Sequence, residues 1–352
     1  MTKPSGIALC FCLLAGSLAR AQDVHIGVLG LFHPGQFRLR PAEGSALIIH
    51  AGSDSFVLEG SSSLDAAEFR LLQDAVVVTI GTHTKRVHEI RISGRMGAPC
   101  EFLLSVPGKI TRRYQGILEI KSADGALVAD IQMDLETAVA SVVAAESIAG
   151  TPLEAEKAQA IAARSYFVAG PSRHHNFDFC DTTHCQFLRE PPGVDTVAGR
   201  AASATQGLVL TYNGRPIAAM YTRSCGGRTY TPDQLGMATR GYPYFSVECP
   251  YCRRHPVHWQ TRISAQDAGF LQPPNETARL RLDRRLGWEA IASNDFSLTP
   301  DGSSVIVEGT GGGHGIGLCQ AGSKAMAEQG QPFDRILMHY YPDTTLASIV
   351  AR

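Results

Sequence analysis

Residues 134–147 read DLETAVASVVAAES and residues 151–170 read TPLEAEKAQAIAARSYFVAG. Here a chain that has alternated short β-rich runs changes to helical periodicity. Asp134 is placed to cap a first turn, and Val139, Val142, Val143 and Glu146 fall at i, i+3, i+4 and i+7, one face of a helix. A carboxylate therefore closes an otherwise apolar stripe. TPLE restarts the pattern: Thr151 reads as N-cap, Pro152 as the first helical position and Glu154 as the acidic residue three beyond the cap. The second helix is expected to stop at Gly170-Pro171, and its many alanines allow close packing against another element.

Toward the N-terminus, VHIGVL, SALIIHA, AVVVTI, EIRIS, GILEIK and ALVADIQM are separated by Gly, Pro and Ser, the signature of short, mostly antiparallel strands. Residues 1–21 hold one Lys, an apolar run from Ile7 to Leu14 and the small-x-small sequence Ala19-Arg20-Ala21. They are expected to be a signal peptide, too short in its apolar run to span a bilayer. The expected division is then 1–21 leader, 22–115 β-rich N-terminal region and 116–352 helix-containing catalytic region, an α+β fold in which the strands pack with the helical core. The chain's 352 residues carry 18% charged side chains and a net charge of −1, without the basic field that nucleic acid requires.

Toward the C-terminus, Asn213-Gly214 within GLVLTYNGRPIAAMYTRS is a strong hairpin signal. SSVIVEG reads as a strand, followed by a helix over about 318–329 and a shorter one in FDRILMHYY. Between strand and helix lies GTGGGHGIG, the setting of a dinucleotide-binding turn. It gives G-x-G-x-x-G in no register, no acidic strand end follows, and no Lys-Ser/Thr is placed for a P-loop, so no nucleotide cofactor is expected. Its glycines let backbone approach a ligand closely.

Several groups can carry chemistry. Partial burial and the negative end of its helix both raise the pKa of Glu146 toward a general acid's, and the bland alternative is a last-turn glutamate in solvent. Lys157 and Arg164 share a mostly apolar face, where they either meet an anionic ligand or snorkel at a helix edge. HHNFDFCDTTHC brings His174, His175, Cys180, His184 and Cys185 together, as a zinc site or as a Cys180–Cys185 disulfide beside solvated histidines. CPYCRRHPVH admits a disulfide first, then a second zinc site or a redox pair. SCGG at 224–227 reads as a tight turn. Seven cysteines remain after the leader, an odd number, so at least one is free, metal-bound or paired between chains.

Four segments in order, VVAAES with PLEAEKAQAIAARSY, CDTTHCQ, SCGGRT, and GGGHGIGLCQAGSKAMAEQG with ILMHYYPDT, resemble the stage II sporulation protein D and amidase-enhancer family of bacterial cell-wall proteins. The resemblance runs from about Ile117 to Leu346. It implies an exported, cell-wall-associated lytic transglycosylase, periplasmic or extracellular, that cleaves peptidoglycan glycan strands freed of stem peptides. Glu146 takes the position of the catalytic glutamate. Lys157, Arg164, Gln186, Ser224, His314 and Gln320 are the implied substrate contacts. His174, Cys180 and Cys185 match a zinc-binding segment of structural character, with His175 and His184 as other candidates for the imidazole. The alternative implied role is a non-catalytic wall-binding module that stimulates a cell-wall amidase. Cys225 and Cys319 stand where the family commonly has serine, as a thiol pair or as small replacements, and the resemblance does not place the extra CPYC segment with its two histidines.

Overall fold

The computed structural model describes residues 22–60, 65–170, 172, 174–239 and 241–349. The expected leader and Pro171 of the expected helix stop lie outside these. Among the described residues no helix is long and apolar enough to cross a membrane.

The N-terminal strands form one curled, mostly antiparallel sheet. Asp23–Val28 pairs with Ala126–Asp134, which pairs with the second half of the long strand Ile110–Ala123. The first half of that long strand pairs instead with Cys100–Val106. The change of partner falls at Gly116, whose φ is 150° and where a Cβ would lie 2.5 Å from Ile131 Cγ2, so a side chain is excluded at the corner. Leu39, Ile49, Phe69, Phe102, Tyr114 and Ile131 line the interior with essentially no exposure. Strands such as Gln36–Pro41 (QFRLRP) and Ala67–Leu72 (AEFRLL) escaped the sequence reading. Their inward residues alternate with charged outward ones, so neither shows an apolar run.

Eight helices follow in chain order among the described residues: α1 Leu135–Glu146, α2 Leu153–Ala169, α3 Val197–Ala204, α4 Pro250–Arg254, α5 Ala265–Gly269, α6 Glu276–Leu286, α7 Gln320–Glu328 and α8 Phe333–Tyr340. Asp134 caps α1 as expected, its carboxylate accepting the Thr137 N–H at 3.0 Å. Thr151 does not cap α2. Its hydroxyl donates to the Ile148 carbonyl, and the helix begins one residue later than expected, after Pro152.

Helix α2 is the spine of the molecule. Ala160, Ala163, Tyr166 and Phe167 pack into the core of the curled sheet, together with Val139, Val142 and Val143 of α1. Its opposite face, Ala158, Ile161 and Ala162, enters a second core with Leu210, Ile217, Leu318, Ile336 and Tyr340. A helix buried on two sides has no polar face to give up, which is why this one is alanine-rich: a larger side chain here overpacks, at about 1–3 kcal/mol. The expected division at 115/116 therefore falls inside one strand and across one core. The hairpin at Asn213-Gly214 is present, with both residues at positive φ and Tyr212 facing Arg215.

A third, smaller core lies between the SCGG turn and the glycine run. The antiparallel strands His258–Ser264, Ser304–Thr310 and Asp295–Asp301 carry α5 and α6 around Ile263, Leu271, Leu282, Ile291 and Val307. The buried guanidinium of Arg279 ties this module through Glu276, Asp283 and the Ile291 carbonyl.

Candidate functional site

Glu146 ends α1 where three other segments converge. Its Oε1 accepts the Phe187 N–H at 2.8 Å, and its carbonyl accepts Nε2 of Gln320, the first residue of α7, at 3.1 Å. The residue is half-buried. Burial pushes its carboxyl up to about 7, while the Phe187 N–H and the charge of Arg223 oppose the rise. The carboxyl is thus partly protonated at neutral pH, and the reading of a last-turn glutamate in solvent does not hold. Tyr221 stands close enough that, after burial, the charge of Glu146 is a cause of its raised pKa. Its hydroxyl donates to Gln186 Oε1 at 3.0 Å, and Gln186 Nε2 reaches back to the Ala163 carbonyl of α2 at 3.3 Å. Tyr221 and Arg223 were missed in the sequence. Their only signal was position, in YTRSCGG just before a turn of small residues.

The loop that supplies the Phe187 amide is anchored twice. Phe179 and Cys180 form a short parallel bridge with Ile26 and Gly27 of the N-terminal strand. Asp181, buried, accepts from Arg112 at 2.8 Å and the Tyr114 hydroxyl at 3.0 Å. Around these anchors His174, Cys180, His184 and Cys185 place their donor atoms within 4.8 Å of one another. His174 Nε2 lies 3.4 Å from Cys185 Sγ, and His184 Nδ1 lies 3.8 Å and 3.6 Å from the sulfurs of Cys180 and Cys185. Two thiols and two imidazoles around one tetrahedral ion, at bond lengths of about 2.3 Å and 2.0 Å, would stand about 3.6 Å apart sulfur to nitrogen. The donor set therefore fits such an ion. Both His174 and His184 belong to it, and His175 is exposed outside it.

Other expected contacts are displaced. Arg164 is fully buried and clamps α2 to its neighbours: it donates to both Glu136 carboxylate oxygens at 2.9 Å and 2.6 Å and to the Leu208 and Ala202 carbonyls. An arginine so enclosed cannot meet a substrate. Lys157 Nζ bonds Glu154 at 2.6 Å and stands over the Phe333 ring of α8, a tie between helices and not a partner of Glu146. Ser224 is buried, its Oγ turned to Cys252 Sγ at 3.5 Å. Gln186 and Gln320 are both buried, so both position the site from within. His314 is half-buried; its Nδ1 accepts the Ile316 N–H at 3.0 Å, and its charge acts on Glu276 of the third module.

The glycine run also faces inward. At Gly317, with φ 71°, a Cβ would fall 1.9 Å from the Met220 carbonyl oxygen, and at Gly311, with φ 89°, 2.6 Å from that of Ser224. Its glycines admit the neighbouring strand of its own chain, the reverse of the ligand-facing loop expected from the sequence.

Comparison with known proteins agrees with this architecture. Residues 124–212, which span α1, α2 and the His/Cys loop, match the family described as Stage II sporulation protein. The chain is 29% identical over 253 residues to the Stage II sporulation protein D of Bacillus amyloliquefaciens, covering 59% of this chain and 72% of that one. It is 27% identical over 260 residues to the protein of the same name from Bacillus subtilis, covering 60% and 74%. Over 63 residues it is 43% identical to the Amidase enhancer of Bacillus subtilis, covering 18% of this chain and 9% of that one. The matched segment runs from the helix pair that carries Glu146 to the loop that holds its carboxylate, and it is there that the chain is similar to the stage II sporulation protein D family.

Proposed function

We propose that this chain is a peptidoglycan lytic transglycosylase with Glu146 as its general acid and base. The observation that carries the reading is the Glu146 carboxyl, raised to about 7 and held by the Phe187 amide at a helix end, with Tyr221 and Arg223 beside it. One such group is sufficient for an intramolecular elimination. Protonated Glu146 gives its proton to the glycosidic oxygen as the bond to the muramoyl C1 breaks. The 6-hydroxyl of the same sugar then closes on C1, and the carboxylate recovers the proton from that hydroxyl. The products are a free hydroxyl end and a 1,6-anhydromuramyl end, with no water consumed. Arg223, exposed at the rim, is placed to meet the lactyl carboxylate of a strand that has lost its stem peptide.

His174, Cys180, His184 and Cys185 would hold zinc. Four protein donors leave no open position for water, so the ion supplies a structural tie for the loop that presents the Phe187 amide. The chain is read as acting at the cell wall after export.

The test is incubation with peptide-free glycan strands and mass spectrometry of the products. Anhydromuramyl ends are expected, with a rate that falls as pH rises through about 7, because the acid form is lost there. Glu146→Gln should lower the rate about 10²- to 10⁴-fold. Products that persist with the glutamine variant, or ordinary reducing ends, would sink the assignment. The likeness to a relative named Amidase enhancer supports a second reading, stimulation of a separate amidase without cleavage. In that case Glu146→Gln would leave the stimulation intact.

A further inference from the structure

We propose that Cys225, Cys249, Cys252 and Cys319 form a second, separate zinc site of four thiolates that holds the wall of the site opposite the His/Cys loop. The four sulfurs all lie within 4.8 Å of one another, and the residues are between 0% and 3% exposed. They come from three parts of the chain: Cys225 from the turn after strand Tyr221–Thr222, Cys249 and Cys252 from the start of α4, and Cys319 from the residue that caps α7. Strand pairing sets Thr222 beside Cys319, so backbone geometry brings the sulfurs together.

The spacing suits a single tetrahedral ion. Four sulfurs about 2.3 Å from one tetrahedral ion stand about 3.8 Å from each other, and Cys252 Sγ is 3.5 Å from Cys319 Sγ. A multi-iron cluster needs its thiolates farther apart, since sulfide and several irons lie between them. Two disulfides require only pairs, with no reason for all four sulfurs to share one small volume.

The surroundings suit thiolates. The Gly322 N–H of α7 donates to Cys319 Sγ at 3.4 Å, and the Cys252 amide faces the Cys249 sulfur. The Tyr340 hydroxyl lies 3.5 Å from Cys249 Sγ and the Ser224 hydroxyl 3.5 Å from Cys252 Sγ. Four thiolates around a divalent cation leave excess negative charge, which such donors and the N-terminus of α7 offset. Gly322 keeps room for the cluster: a Cβ there would lie 2.6 Å from Cys249 Sγ.

This assignment also accounts for the odd number of cysteines. Two serve the His/Cys loop, four serve this site, and Cys100 remains, buried, donating to the Gly116 carbonyl and pushed up to about 12 by burial. Cys319 is followed directly by Gln320, whose amide holds the Glu146 carbonyl, so an ion here fixes α7 against the end of α1.

The test is zinc content and zinc-edge X-ray absorption on the full chain. Wild type should carry two zinc ions with an average of three sulfurs and one nitrogen each. Cys180→Ser should carry one, ligated by four sulfurs at about 2.3 Å. Should that variant not fold, the wild-type stoichiometry and average decide alone. Thiol counting and peptide mapping on denatured, unreduced wild type should find all seven cysteines that follow residue 21 as thiols. Disulfides among the four, a single wild-type zinc ligated by nitrogen as well as sulfur, or iron in place of zinc would overturn the proposal.

Discussion

The two donor clusters flank the same glutamate and are built in opposite ways. His174, Cys180, His184 and Cys185 lie in one short loop, half-buried, and reach Glu146 through the amide of Phe187. Cys225, Cys249, Cys252 and Cys319 are brought from distant parts of the chain into the second core and reach it through Gln320. A local cluster costs little chain entropy to assemble, and its failure stays local. A cluster built from distant segments closes long loops, so an ion there stabilises the packing of everything between them.

The comparison is broken most directly by stability measurements. Cys252→Ser should cost on the order of 4 kcal/mol or more in denaturant unfolding, the range reserved for loss of a metal site or a buried network. Cys180→Ser should cost about 1–2 kcal/mol. Its hydrogen-exchange loosening should be confined to the loop, and its rate on glycan strands should fall with the Phe187 amide no longer held. If Cys180→Ser proves the more destabilising, the contrast between local and distributed clusters is wrong.

A pH scan probes the strip between the clusters. Glu156 of α2 is buried and raised to about 7 by burial, against the Ser147 hydroxyl that donates to it. A carboxyl whose folded pKa exceeds its unfolded value is unpenalised below about 4.5 and fully penalised above about 7. Stability should therefore fall as pH rises through that window, and Glu156→Gln should flatten the fall by at least about 1 kcal/mol. An unchanged pH profile in the variant would show that another group governs it. The smallest effect is expected from His175→Ala. It should leave zinc content unaltered and stability within about 0.5 kcal/mol, since this imidazole is exposed beside the cluster and not in it. Loss of metal from that variant would redraw the ligand set.

Much of the site's frame was legible in the sequence. The Asp134 cap, the stripe that ends in Glu146, the stop of α2 at Gly170 and the Asn213-Gly214 hairpin depend on neighbours a few residues apart. The His/Cys loop was legible for the same reason, although the sequence left the choice among three histidines open. Strands with charged outward faces and the arginine-rich α6 were not legible, because their burial is set by partners elsewhere in the chain.

Sequence alone determined the Asp134 cap of α1, the stop of α2 at Gly170, which carboxylate closes the apolar stripe and which loop gathers sulfur with imidazole, since propensity, capping and periodicity act over a few residues. Only the tertiary structure decided that Arg164 is an internal clamp, that the glycine run yields to its own neighbouring strand and that four scattered cysteines meet. Those outcomes turn on which distant surfaces exclude water together, and burial sets both the charge a side chain can carry and the partner it must find.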